Sequence, residues 1–486
     1  MVEQTGKRKI MADATSLPPL LVRDSRVLVA TDLCWEALFF LIRQRPVMLF
    51  FVVVWLLKGR RFLLDQIAKH VRFSPEWMSY NTACLSLLRH QQQAGRPLVL
   101  VTDFSQQWAD DISKHLGLFD QVFFCSRNRV VAARQLHRFV TEELRSDGRF
   151  LFAGTMADQP ILHVATGGIA VDGGVKFAQS EELLPDVEQW LRAKRPTWRD
   201  YARALRVHQW LKNCLVFVPL ITSHRITEIS VFFESVAAFI AFSFCASAVY
   251  LINDLLDLRA DRGHDRKKNR PFAAGRIHLK IGALLVPVLL LLSCLVSLVL
   301  PGAFREVLLA YFVLTLAYTF WLKQIVLVDI ILLALLYTLR IIAGGAASGI
   351  VLSFWLLAFS MFIFFSLALV KRYSELSAVL QKNEVNVCGR GYQVEDMASL
   401  YHFGIASGYM SILVLALYIH SVDVRLLYSH PRLIWLLCPL LLYWISRMWL
   451  LTGRHNMHDD PLLFAMRDRV SQVLVVVGNA ILWCAV

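Results

Sequence analysis

Residues 230–252, SVFFESVAAFIAFSFCASAVYLI, run without a break into residues 253–275, NDLLDLRADRGHDRKKNRPFAAG. The first stretch has a single charge, Glu234, and is long enough to cross a hydrocarbon core as a helix, which takes about 20 apolar residues. The second is dense in Asp, Lys and Arg. An apolar helix that hands over within one turn to such a loop decides the fold class: an all-α polytopic membrane protein with its chemistry at a membrane surface.

The rest of the chain agrees. Of 486 residues 56% are hydrophobic and 18% charged, which excludes a disordered chain, a collagen-like fibre and a small disulfide scaffold. After residue 208 nine apolar segments follow, roughly at 210–223, 230–252, 279–300, 304–322, 325–347, 352–370, 399–420, 432–451 and 470–486. Lys and Arg concentrate in the loops after the second, sixth and eighth. The positive-inside rule then places those loops and the N-terminal region in the cytoplasm, and nine crossings place the C-terminus outside. The net charge of +14 is distributed in this way, with no separate basic domain for nucleic acid. The nine cysteines are scattered, form no CxxC and read as buried or lipid-facing thiols. Residues 1–16 are polar and lack the apolar core of a signal peptide.

Before about residue 200 the pattern is that of a soluble domain. Short apolar runs at Leu20–Val22, Val27–Ala30, Pro97–Thr102, Gln121–Cys125 and Arg149–Ala153 read as strands. Gln106–Leu116 and Val130–Leu144 read as helices between them, giving a parallel α/β domain. Val47–Leu57, VMLFFVVVWLL, is too short to span a bilayer and is flanked by Arg43, Arg45, Lys58, Arg60 and Arg61. It is expected to lie on the inner leaflet or against the membrane domain.

In the loop, Asp254, Asp257 and Asp261 fall at i, i+3 and i+7, so a continuous helix would place them on one face. Carboxylates that close repel one another unless a cation joins them, and Mg²⁺ bridging them to a diphosphate is the natural solution. Asn253 would orient them. His264, Lys267, Lys268 and Arg270 follow, suited to phosphate oxygens.

This motif resembles the first aspartate-rich motif of the UbiA superfamily of intramembrane prenyltransferases, whose members carry nine transmembrane helices around a central cavity, with that motif after the second. The second acidic motif of the aromatic prenyltransferases would fall after the sixth segment, where this chain reads KRYSEL (371–376). RVHQWLKN (206–213) and DIILLALLYTLRIIAGG (329–345) narrow the resemblance to the decaprenyl-phosphate phosphoribosyltransferase branch, with Val207 in place of that branch's proline. The resemblance covers about 205–486. It implies Mg²⁺-dependent transfer of 5-phosphoribose from 5-phosphoribosyl diphosphate to a polyprenyl phosphate, with release of pyrophosphate, at the cytoplasmic face of a bacterial inner membrane. Asp254, Asp257 and Asp261 would be the catalytic and metal-binding residues. Further cations would have to hold the 5-phosphate and the lipid phosphate, and Arg206, Lys212, Lys323, Lys371, Arg372 and Arg390 are the candidates. Arg340, inside an apolar segment, is expected to face a polar interior. The alternatives are an aromatic prenyltransferase using a prenyl diphosphate, and a non-catalytic lipid-phosphate carrier or scaffold. A homo-oligomer is compatible with the sequence.

PLLVRDSRVLVATDL (19–33) resembles the first strand of a haloacid-dehalogenase-like (HAD-like) domain. Aligned on that resemblance, Arg23 stands at the nucleophile, Ser25 at the general acid/base and Val130 at the lysine; Thr102 fits the second motif and Asp158 keeps one acid of the metal motif. Asp24 lies one residue out of register. An aspartyl-phosphate mechanism needs that nucleophile, so a phosphatase fold without its chemistry is expected. The expected organisation is a flexible 1–16, a degenerate HAD-like domain at 17–195 and a UbiA-like transferase at 196–486.

Overall fold

The computed structural model describes residues 17–72, 74–144, 147–172, 187–192, 196–264, 267–381, 391–420, 428–455, 457 and 460–485. The chain divides into two compact units: Met1–Leu205 with Leu251–Leu285, and Arg206–Tyr250 with Val286–Val486. The aspartate-rich loop therefore groups with the N-terminal region.

In the first unit six parallel strands form one sheet: β1 (Leu20–Arg23), β2 (Leu98–Thr102), β3 (Gln121–Phe124), β4 (Leu151–Gly154), β5 (Gly167–Asp172) and β6 (Val187–Arg192), in the order β3-β2-β1-β4-β5-β6. The helices are α1 (Leu33–Gln44), α2 (Met48–Leu57), α3 (Arg60–His70), α4 (Thr82–Gln93), α5 (Gln106–Leu116), α6 (Arg129–Glu142), α7 (Gln159–Leu162) and α8 (Trp198–Ala204). The central strands β1, β2 and β4 are near-continuous apolar runs because helices cover both faces. Leu20, Val22, Leu98 and Leu100 pack with Ala37, Ile67, Leu88 and Ile112 from α1, α3, α4 and α5. The alternate residues Leu21, Val99, Val101 and Phe152 pack with Leu136 and Val140 of α6 and Ile161 of α7. Each fully buried Leu contributes about 2 kcal/mol. Strand order reverses beside β1, the place where doubly wound sheets open a ligand crevice at the strand ends.

Two expectations differ here. Val27–Ala30 is not a strand: Arg26 adopts φ 66°, the chain turns back, and only isolated bridges from Val29 to Ser25 and Tyr80 form. β5 and β6, the latter on a stretch with three polar residues in six, were not anticipated. α2 matches the expected apolar helix, and it is bare: Val52 is buried, whereas Phe50 is 70% and Leu57 83% exposed.

The remaining helices are α9 (Val218–Thr222), α10 (Ile229–Leu256), α11 (Leu258–Arg262), α12 (Leu279–Ser297), α13 (Gly302–Phe320), α14 (Val328–Ser348), α15 (Phe354–Leu380), α16 (Met397–Ile419), α17 (Pro431–Ile434), α18 (Leu437–Gly453), α19 (Pro461–Arg467) and α20 (Arg469–Ala485). Among the described residues seven helical spans are long and apolar enough to cross a membrane, or eight if α19 and α20, bent by 82°, count as one. The expected nine are not reached. Residues 210–223 form a 3₁₀ stretch (Val207–Phe217) and then α9. The segment changes from 3₁₀ to α at Val218, with Pro219 in the first turn of α9, where its missing N–H costs nothing. Small residues let backbones approach: a Cβ on Gly344 of α14 would lie 2.0 Å from the carbonyl oxygen of Val216.

Candidate active site

α10 carries Asp254 in its last turn and ends at Leu256. Asp257 caps the five-residue α11 with φ −97° and ψ 15°, outside helical geometry, so the two helices do not form one continuous face. The expectation of three convergent carboxylates is corrected accordingly. Asp254 and Asp261, both buried, meet at a single nitrogen: Nη1 of Arg270 donates to Asp254 Oδ1 (3.1 Å) and Asp261 Oδ2 (2.7 Å). Asp257 turns instead to Arg43, 3.3 Å away. The backbone carbonyl of Asn253 accepts the amide of Asp257 (2.9 Å), His264 and Lys267 lie at the exposed surface, and a 3₁₀ turn at Lys267–Asn269 brings Arg270 back onto the aspartates. Burial, and secondarily the charge of Asp254, push the Asp261 carboxyl up to about 6 against the pull of Arg270.

Among the described residues no three His, Cys, Asp or Glu side chains converge as a metal cage. The aspartate pair nevertheless fits Mg²⁺. Its oxygens are hard donors that already share one cationic nitrogen, and Mg²⁺ takes one or two carboxylates, filling its octahedron with water and substrate phosphate.

The candidate cations of the second unit separate into two kinds. Lys212, on the 3₁₀ stretch, lies 2.5 Å from Asp460, and Lys371 on α15 lies 3.6 Å from the same carboxylate. Burial would raise Asp460, but these two lysines outweigh it and hold the carboxyl at about 2. The cluster borders a small cavity lined by Leu333, Tyr337, Leu367, Lys371 and Pro461. Arg206 stacks 4.8 Å over the ring of Tyr250. Lys323 sits half-buried on a short 3₁₀ turn.

Arg372 is of the other kind. It is 1% exposed and is held by Asp329, by Glu375 at 2.7 Å and by the hydroxyl of Tyr318 at 2.9 Å, a strut joining α13, α14 and α15 rather than an open anion site. Arg340, as expected, faces a polar interior: it donates to Asn213 (3.0 Å) and Tyr311 (3.2 Å), among the rings of Phe242 and Tyr337. Arg390 lies outside the described residues. Asp460, the shared partner of Lys212 and Lys371, was missed as a site residue; its only signal was the acidic run HDDP at 458–461.

At the C-terminal edge of the sheet a second charged cluster fills the place where a crevice opens. Arg23, ending β1, pairs with Asp103 (2.7 Å) and Asp158 (2.9 Å), and Arg129, opening α6, pairs with the same two (2.8 and 3.0 Å). Burial would raise Asp103, but Arg23 and Arg129 hold it below the ordinary carboxylate range. Asp24 is buried beside them, hydrogen-bonded to Thr102, and burial pushes it up to about 6. Arg129, next to the expected lysine position at Val130, was not foreseen.

Residues 216–467 match the UbiA prenyltransferase family. The chain is 35% identical over 457 residues to an uncharacterised protein of Sinorhizobium fredii, y4nM, covering 93% of this chain and 88% of that one. It is 31% identical over 292 residues to the nodulation protein NoeC of Azorhizobium caulinodans, covering 60% and 93%. It is also 36% identical over 178 residues to the decaprenyl-phosphate phosphoribosyltransferase of Mycobacterium tuberculosis, covering 36% of this chain and 59% of that enzyme.

Proposed function

The chain belongs to the UbiA prenyltransferase family, and from that premise we propose that it transfers 5-phosphoribose from 5-phosphoribosyl diphosphate to a polyprenyl phosphate. The observation that carries the reading is the meeting of Asp254 and Asp261 on Arg270 at the end of an apolar helix, within the motif NDLLDLRADRGHDRKKNRP. The similarity to a decaprenyl-phosphate phosphoribosyltransferase supports the choice of substrates.

In this reaction the bond from the ribose C1 to the diphosphate oxygen breaks, and an oxygen of the lipid phosphate forms the new bond to C1. Pyrophosphate leaves with the electron pair. The acceptor is already an anion, so no strong general base is required; positioning and charge neutralisation carry the rate. Bound Mg²⁺ would neutralise the developing charge on pyrophosphate, held by Asp254 and Asp261. Asn253 orients the aspartates, and Arg270, His264 and Lys267 bind phosphate oxygens. Lys212, Lys371, Arg206 and Lys323 serve the lipid phosphate and the 5-phosphate. Asp460 holds two of those lysines in place until a phosphate displaces it.

The chain would work at the cytoplasmic face of a bacterial inner membrane, with the bare helix α2 resting on the inner leaflet. The domain at 17–195 is read as a HAD-like fold without phosphatase chemistry, since Arg23 occupies the nucleophile position, and 196–486 as the transferase.

A transfer assay on the purified protein tests this. It supplies 5-phosphoribosyl diphosphate labelled in the ribose, polyprenyl phosphate and Mg²⁺, and the lipid phase is extracted. Label in the lipid, dependent on Mg²⁺ and lost in Asp254→Asn, is expected. No label from folded protein, with transfer from a prenyl diphosphate to an aromatic acceptor instead, would overturn the assignment.

A further inference from the structure

We propose that the α/β region is a positioning clamp for the aspartate loop, with Glu36 acting through Arg262 to set Asp261, and Arg43 holding Asp257 apart from the pair. The inference rests on the reading that the loop binds a metal-diphosphate.

The need for a clamp follows from helix length. α11, which carries Asp261, has five residues, far short of the dozen or so at which an isolated helix becomes even marginal in water. Its conformation must be imposed from outside. Arg262, the next residue, receives that constraint. Its Nη1 and Nη2 engage Oε1 and Oε2 of Glu36, the second at 3.1 Å, in the two-pronged geometry that makes arginine–carboxylate pairs directional. The side chains are only 9% and 7% exposed, so solvent does little to loosen the pair. Glu36 is fixed in turn by the hydroxyl of Thr31 at 2.6 Å.

Arg262 also donates to the carbonyl of Trp77 (3.1 Å) and, through Nε, to the carbonyl of Ala273 (3.2 Å). Ala273 lies three residues past Arg270. One guanidinium thus fixes both limbs of the loop, that carrying Asp261 and that carrying Arg270, to the same point on the α/β region. The packing around it is close: a Cβ on Gly263 would lie 2.8 Å from the ring of Trp77, and Arg259 lies over the rings of Phe40 and Trp77 at 5.7 and 5.6 Å. Arg276 and Asp200, 3.1 Å apart, secure the loop's far end. Glu36 and Arg43 are thus positioning residues. A domain whose own sheet-edge crevice is filled by ion pairs retains a use as the outer support of a metal site, and outer-shell partners of this kind govern affinity.

The test measures hydrogen exchange in the full-length protein in lipid nanodiscs, across 255–276, with and without Mg²⁺ and inorganic pyrophosphate. Glu36→Gln keeps the side-chain volume and removes the charge; Glu36→Arg with Arg262→Glu restores the pair in reverse. The clamp predicts faster exchange confined to 255–276 in Glu36→Gln. It also predicts a Mg²⁺ concentration for half-maximal protection raised about tenfold, with recovery of both in the reversed pair. Unchanged loop exchange and Mg²⁺ dependence in Glu36→Gln would overturn it, as would equally accelerated exchange throughout the sheet. Neither readout requires phosphoribosyl transfer, so failure of the assigned reaction and failure of the clamp give different results.

Discussion

Two clusters in the first unit are built from the same parts and end in different states. At the sheet edge Arg23 and Arg129 face Asp103 and Asp158, two cations for two carboxylates, each arginine touching both acids. In the loop one nitrogen of Arg270 bridges Asp254 and Asp261, and the charge of Lys267 also acts on Asp261. In the first, both arginines hold Asp103 low. The second meets on one shared guanidinium nitrogen, and burial next to Asp254 leaves Asp261 near 6. The contrast is between two arginines that each bridge both acids and one guanidinium nitrogen shared by two acids.

The largest expected effect contrasts the two directly. Asp261→Asn lowers phosphoribosyl transfer by at least about 100-fold, whereas Asp158→Asn leaves transfer per folded molecule unchanged; a fall of similar size in both would erase the distinction. Next is stability. Arg23→Met leaves Asp103 and Asp158 with one arginine between them, and breaking a buried pair of this sort costs about 3 kcal/mol. A denaturation series in detergent should show that loss, with transfer by the folded fraction intact.

The smallest effect sharpens the picture of the sheet-edge cluster. Asp24 has a folded-state pKa raised to about 6 against an ordinary value near 3.8. Between those values the folded state binds the proton more tightly, so its contribution to stability falls as pH rises from about 4 to about 6 and is constant above. Asp24→Asn removes this dependence. Its stability advantage over the natural sequence should grow through that window to about 3 kcal/mol. An advantage independent of pH would contradict a raised Asp24.

Much of this was legible in the sequence, and the failures have physical causes. Apolar runs of spanning length and of strand length announced a helical membrane part and a parallel sheet, because burial on both faces leaves little polar residue in either. Gln106–Leu116 folded with its expected bounds. Val27–Ala30 has strand composition, but Arg26 turns the chain and the residues are buried without a ladder. The first apolar segment changed from 3₁₀ to α at Val218, and its lysine and asparagine side chains turned to polar partners. In the site, the spacing of the three aspartates suggested one helical face. The break at Asp257, which pairs with Arg43 more than 200 residues away in sequence, has no local signal. The same holds for Glu36 with Arg262 and for Asp460 with Lys212: periodicity reports what a residue is next to on its own element, not which distant charge it meets.

The most direct test of the account is the binding of Mn²⁺, standing in for Mg²⁺, followed by electron paramagnetic resonance in the presence of inorganic pyrophosphate. The account predicts pyrophosphate-dependent binding that is lost in Asp254→Asn and Asp261→Asn and kept in Asp158→Asn. Binding that survives both loop substitutions and disappears in Asp158→Asn would place the metal at the sheet edge and contradict it.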